Sequence, residues 1–177
     1  MEQQGLRGLR GVSAAARRVG AAYAGDAERP LRAYSALLGS YGAAAGGLVA
    51  LAGVLGKRPP ERITPWDVWL IGMATHKASR LLAKDPVTSP LRAPFTRFEG
   101  VSGEAELAEQ ARGHGAQHAV GELLTCPFCV GQWIATGFSA GLVFAPRLSR
   151  LTAATFASLA VADVLQFAYT AVEQRAG

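Results

Sequence analysis

Residues 35–56 read SALLGSYGAAAGGLVALAGVLG, 22 positions without a charge, closed by Arg32 on one side and Lys57 on the other. Residues 123–146, LLTCPFCVGQWIATGFSAGLVFAP, repeat the pattern over 24 positions between Glu122 and Arg147. Residues 151–172 carry one charge, Asp163, in 22 positions. About 20 apolar residues cross the hydrocarbon core of a bilayer. A soluble helix rarely runs so far without a charge on its outer face. The three stretches predict membrane spans; a soluble Ala-rich bundle is the alternative.

Composition agrees. Only 18% of the 177 residues are charged, against about 25% in soluble domains. The 34 Ala and 21 Gly are almost a third of the chain, so small residues carry much of its apolar character. A disordered chain is excluded, because those are polar and charged. Two Cys exclude a disulfide scaffold. Length allows one domain.

A fourth span is predicted over 65–83. Thr64-Pro65-Trp66-Asp67 has a capping Thr, Pro at the first helical position and Asp three after the cap. The helix must stop near Asp85-Pro86. Trp66 and Trp69 suit a membrane interface. His76, Lys77 and Arg80 make the second half too polar to face lipid, so it faces other helices or leaves the bilayer; a surface helix beside three spans is the alternative. The expected fold is therefore all-α, a four-span bundle over 35–177 with a surface loop at 84–122.

The net charge of +5 comes from 18 Lys and Arg against 13 Asp and Glu. Their placement points to anionic lipid rather than nucleic acid. With four spans, the N-terminal segment, the 84–122 loop and the tail share one side. That side holds eleven Lys and Arg, the other five. The bias predicts both termini in the cytoplasm of a multi-pass inner (plasma) membrane protein. In segment 1–34, Leu6, Leu9, Val12, Ala16, Val19 and Tyr23 recur at helical spacing between Arg residues. A basic amphipathic helix on lipid and a disordered basic tail both fit; a signal peptide does not, for want of an apolar core. Gly42 and Gly46, with Ala50, and Gly137 with Gly141 set small residues four apart. Such spacing lets helices approach closely, within a bundle or in a homo-oligomer.

Cys126-Pro127-Phe128-Cys129 opens the third long stretch. Pro127 suits the first helical position, placing Cys126 at the N-cap and Cys129 in the first turn. Thiols there meet the positive end of the helix dipole, which favours nucleophilic or metal-ligand roles. His114 and His118 precede them four apart, so Cys126, Cys129, His114 and His118 are a candidate zinc set. A packing role for the thiols and thiol–disulfide chemistry are the alternatives. A cytoplasmic position and the lack of further Cys count against redox catalysis.

Arg80-Leu-Leu-Ala-Lys-Asp85, Pro90-Leu-Arg92-Ala-Pro94-Phe95 and Cys126-Pro-Phe-Cys129-Val-Gly131-Gln-Trp133 together resemble a family of small bacterial and phage membrane proteins. It is known as domain of unknown function 1360 and includes a sporulation-associated member. The resemblance covers about Thr64 to Phe144. It implies an integral membrane protein without an established activity. The family pattern does not include His114 and His118.

Arg80, Arg92 and Arg97 are expected at the membrane surface, where they form a candidate anion or lipid-headgroup site. Salt bridges from Asp85 to Arg80 or Arg92 are the plainer reading. A charge inside a span is costly and usually paired. Counted from the cytoplasmic ends, Asp163, His76 and Lys77 lie about 15, 12 and 10 Å deep, so Asp163 is predicted to pair with His76 or Lys77. Neither a phosphate loop nor a Ser-His-Asp pattern is present. Three functions follow as expectations: a non-catalytic scaffold recruiting a membrane-protein partner, a thiol or metal protein centred on Cys126 and Cys129, and a small transporter using Asp163 and His76. No cofactor beyond zinc is implied.

Overall fold

The computed structural model describes residues 18–20, 22–23 and 30–176. It is mostly helical, and it carries one two-stranded sheet. Helix α1 is Leu31–Val54 and α2 is Pro65–Lys84. A 3₁₀ turn at Pro86–Thr88 and the one-turn helix α3 at Ser89–Arg92 follow. Strands β1, Thr96–Gly103, and β2, Glu106–Ala111, form an antiparallel hairpin. Helices α4, Ala116–Thr125, α5, Pro127–Phe144, and α6, Pro146–Ala176, complete the chain. Three of these, α1, α5 and α6, are long and apolar enough to cross a membrane. The reading of segment 1–34 falls mostly outside the described residues, except that Leu31 to Tyr34 already belong to α1.

The start of α2 is built as its sequence implies. Thr64 Oγ1 accepts from the Asp67 amide at 3.1 Å, and the Asp67 carboxylate accepts from the Thr64 amide at 3.2 Å. That box satisfies donors the helix cannot. Asp67 is buried, and Arg150 Nε of α6 donates to it at 3.0 Å. The bond ties the first turns of α2 and α6 together.

The helix that carries His76, Lys77 and Arg80 is also the central one. Helix α2 packs against α6 along one side and α5 along another. Its buried positions Leu70 and Ala74 pack with Ala153 and Ala157 of α6, with Met73, Phe138 and Phe156 around them. Close approach thus rests on an alanine stripe, the small-residue packing that apolar surroundings favour. On the α5 side, a methyl placed on Gly131 would touch Thr75 and Ser79 at 3.7 and 3.8 Å. Gly141 sits tighter still, since a methyl there would meet Ser149 Oγ at 2.7 Å. Ser149 in turn donates to Phe138 O at 3.0 Å across the α5–α6 corner.

The expected Gly42–Gly46 contact is not made within the chain: neither glycine has a neighbour near its Cβ position among the described residues. Gly137 is open too. Helix α1 docks instead through tyrosines seven apart, hence on one face. Tyr34 Oη donates to Glu122 of α4, while Tyr41 Oη lies 2.9 Å from Thr136 Oγ1 and its ring meets Trp133 edge-on at 5.2 Å.

One expectation is corrected. The chain is not all-α, because residues 96–111 pair as a hairpin rather than crossing the surface as an open loop. A stretch of that length without its own secondary structure is rare in a compact fold. Within 123–146 the long helix starts at Pro127, as its N-cap reading implied, and residues 123–125 belong to the helix before it. Cys126 is extended (φ −104°, ψ 105°), so α4 ends at Thr125 and α5 begins at Pro127, as the residue before a proline prefers.

Thr75 Oγ1 is the one buried side-chain oxygen or nitrogen without a hydrogen-bond partner among the described residues. Thr75→Val keeps the shape and removes the orphan hydroxyl, so it is expected to raise stability by about 1 kcal/mol. Unfolding in mixed micelles with rising dodecyl sulfate checks this; a lowered midpoint would mean that the hydroxyl has a partner in the bilayer.

Candidate functional site

The residues between α2 and α4 form a corner around one arginine. Asp85 ends α2, and its carboxylate accepts from the Val87 amide at 2.8 Å, turning the chain into the 3₁₀ turn. Pro90 fits the first turn of α3, where a missing N–H costs nothing. That turn places Arg92 beneath the end of α2, with 0% of its side chain exposed. Arg92 Nη1 donates to Leu82 O at 2.7 Å and to Thr88 Oγ1 at 2.6 Å. Nη2 donates to Asp85 O at 3.1 Å, and Nε donates to the carboxylate of Glu109 on β2. Thr88 Oγ1 donates in turn to Leu81 O at 2.6 Å. One guanidinium therefore caps the last carbonyls of α2 and fastens the hairpin to them.

The next residues fix α4 to the same corner. Pro94 O accepts from Gln117 Nε2 at 2.9 Å and Arg112 Nε at 3.2 Å, and Phe95 O accepts from the Arg112 amide at 2.9 Å. Thr96 Oγ1 donates to Arg92 O at 3.0 Å. Gly121 of α4 slides in against this loop: a methyl there would lie 2.5 Å from Phe95 O and 2.9 Å from Ala111 Cβ. Gly121→Ala is therefore expected to destabilise by about 2 kcal/mol through overpacking, despite the better helix propensity of Ala. Thermal unfolding in detergent checks this; an unchanged midpoint would mean that α4 moves without cost.

The geometry overturns the three-arginine anion site. Arg92 is sealed inside the corner, because α2 needs its donors. Arg80, though exposed, pairs with Glu106 of β2, and Arg97 stands apart on β1. Asp85 makes neither expected carboxylate bridge: its carboxylate caps the turn, and only its backbone oxygen meets Arg92. Of the residues expected near Asp163, Lys77 reaches it, with Nζ 2.6 Å from Oδ2. His76 lies in the cleft beside that pair.

The thiol pair is placed as expected. Cys126 is the N-cap of α5, and its Sγ accepts from the Cys129 amide at 3.2 Å. Cys129 Sγ, exposed, lies 2.6 Å from Cys126 Sγ. Phe128 between them is 93% exposed. His118 Nε2 lies 3.5 Å from the Glu122 carboxylate one turn on, and His114 sits in the turn between the positive-φ residues Gly113 and Gly115. Among the described residues no three of His, Cys, Asp and Glu gather as a metal site. The zinc set of Cys126, Cys129, His114 and His118 is thus not assembled.

Sequence reasoning missed Glu109, Glu106 and Gly121. The acids lie in a stretch read as loop; set three apart around Leu107 and Ala108, they lack the alternation that marks a strand. Gly121, in an otherwise good helix former, marks a close backbone approach.

Comparison with known proteins places this geometry in a group. Sporulation protein YjcA of Bacillus subtilis (strain 168) is 33% identical over 69 residues, which are 37% of this chain and 58% of that protein. The matched part thus spans a little over half of that relative. No solved structure matches. The family described as "Protein of unknown function (DUF1360)" matches residues 70–169, from the core of α2 through the hairpin and thiol pair into α6. That stretch is more than half of the chain and contains the whole arginine corner, so the chain belongs to the DUF1360 family.

Proposed function

We propose that this chain is a four-span scaffold of the bacterial inner membrane that holds its hairpin and α4 as a platform at the cytoplasmic face, for a membrane-protein partner or a second copy. In this reading α2 is the fourth span, and the charged side of its second half is turned toward α6 and the hairpin, where Lys77 pairs with Asp163 and Arg80 with Glu106. The observation that carries it is where the motif residues go. Arg80, Asp85, Pro90, Arg92, Pro94 and Phe95 build the corner; Gly131 packs α5 on α2, and Trp133 packs α5 on α1. These side chains hold surfaces in place, which is what a platform needs and a reaction site does not. Phe98 and Val101 stand exposed on the hairpin, 61% and 72% accessible, and are the apolar side chains through which it would meet a partner.

Two measurements test this. A membrane-impermeant maleimide is expected to label Cys129 in inside-out vesicles only; labelling from the outer face would reverse the topology. A photo-crosslinker in place of Phe98 or Val101 is expected to give one discrete protein adduct in the native host. Lipid adducts alone would remove the recruiting role.

A second reading rests on the thiol contact. Cys129 is exposed, and its Sγ lies 2.6 Å from Cys126 Sγ. As thiolate it attacks a partner disulfide and expels one partner thiol; Cys126 then displaces the second, leaving a Cys126–Cys129 disulfide and a reduced partner. A mass 2 Da lower (two hydrogens) after incubation with a low-molecular-weight disulfide, reversed by dithiol, supports this reading.

A further inference from the structure

A cleft of about 1100 Å³ opens between the C-terminal halves of α2 and α6 and the turn of the hairpin. It exceeds the ~300–1,000 Å³ of ordinary small-molecule pockets. The α6 wall is apolar along Ala160, Val164 and Phe167, and Met73 and Leu81 add apolar surface from α2. Val164 and Phe167 are exposed, 62% each, on a helix apolar enough to cross a membrane. The cleft therefore opens sideways to wherever that helix's lipid lies. The facing wall is charged. Lys77 holds Asp163 at its floor, and Arg80 holds Glu106. Toward the hairpin turn, Lys84 and Glu104 line the cleft with no ion-pair or hydrogen-bond partner among the described residues.

Such a space does not stay empty beside a bilayer. Acyl chains satisfy the α6 wall but not the charges, since ionic groups facing hydrocarbon are costly. Water satisfies the charges but not the apolar wall. An amphiphile satisfies both, and the mouth specifies its headgroup. Arg80 and Lys84 offer donors to a phosphate. Glu104 and Glu106 offer acceptors to a cation within a few ångströms of it. A primary ammonium has three N–H donors for those carboxylates; a quaternary ammonium has none, and a glycerol headgroup has no cation.

We propose that this cleft seats one aminophospholipid, with its phosphate on Lys84 and Arg80, its ammonium on Glu104 and Glu106, and an acyl chain along Val164 and Phe167. The proposal rests on the reading that α2 and α6 share a bilayer, but not on their orientation. Maleimide labelling therefore fails or succeeds independently of it.

The test uses the full chain in maltoside micelles with Phe167→Trp as reporter. Quenching by bromine-labelled acyl chains is read against the unsubstituted protein, whose own tryptophans give the background. Brominated phosphatidylethanolamine is expected to quench saturably, at one lipid per chain. Its half-saturation should lie about ten-fold below that of the glycerol and choline lipids, the value of one charge-assisted hydrogen bond. Glu104→Gln, on the exposed turn, should erase the preference over the other headgroups. Lys84→Gln should weaken all three lipids alike. Equal quenching by all three would mean ordinary boundary lipid, and preference for phosphatidylglycerol an anion site without the ammonium contact. Either result, or a preference that survives Glu104→Gln, overturns the proposal.

Discussion

Arg92→Ala is expected to cost about 3–5 kcal/mol, the range for breaking a buried ion pair from one side. Three nitrogens of the guanidinium serve four acceptors. Its loss strands the Glu109 carboxylate, itself only 6% exposed, and uncaps the end of α2. Arg92→Lys keeps the charge but presents one ammonium where a planar fork is needed, so most of the loss should remain. Glu109→Gln should be milder, because an amide oxygen still accepts from Nε. The damage should also be local at first. Amides of 96–111 are expected to lose hydrogen-exchange protection before those of α2 and α6, whose alanine contacts do not pass through the corner. An Arg92→Ala protein with an unshifted unfolding midpoint and a protected hairpin would show that the corner is held by something other than this arginine.

The arginine also shows where sequence reading stops. The apolar runs that became α1, α5 and α6 were legible because length and missing charge are one-dimensional properties. The start of α2 was legible because a capping box is local. Cys126 at the N-cap followed from Pro127 for the same reason. Arg92 was legible as a motif residue but not as a buried one. In sequence it is a cation beside prolines, which suggests a surface. Its burial depends on Glu109, 17 positions away, and on carbonyls of a helix ending before it. The alanine stripe of α2 and α6 was hidden for the opposite reason. In a chain rich in Ala and Gly, small residues recur at four-residue spacing in many places, so the spacing at Gly42 and Gly46 looked as strong as the one that packs. Which stripe is used depends on which helix is central, and that follows from the polar second half of α2 seeking cover.

The Lys77–Asp163 pair gives the second large effect and a test of whether α2 lies in the bilayer. Asp163→Leu leaves Lys77 without its counter-ion, and Lys77→Leu leaves Asp163. Inside the hydrocarbon band an orphan charge costs about 2.5–3.5 kcal/mol on insertion scales. The two orphans are not equal. Lys77 lies seven residues, about 10 Å, from the end of α2, and its long stem can carry the ammonium toward the headgroups. Asp163 has no such reach. Lys77→Leu is therefore expected to destabilise more than Asp163→Leu, by about 1 kcal/mol, with the larger loss near 3 kcal/mol. The double variant removes both charges and presents two leucines to an apolar surrounding, so it should return close to the parent, as when a buried pair is replaced by apolar side chains. The coupling in that cycle, read from dodecyl sulfate unfolding of all four proteins, should be about 5 kcal/mol, the sum of the two single losses. If the pair sits in water at the membrane surface, each single change costs under 1 kcal/mol and the cycle closes additively. α2 would then lie on the membrane beside three spans, and the polar half that it turns toward α6 would be facing solvent instead of being sheltered from lipid.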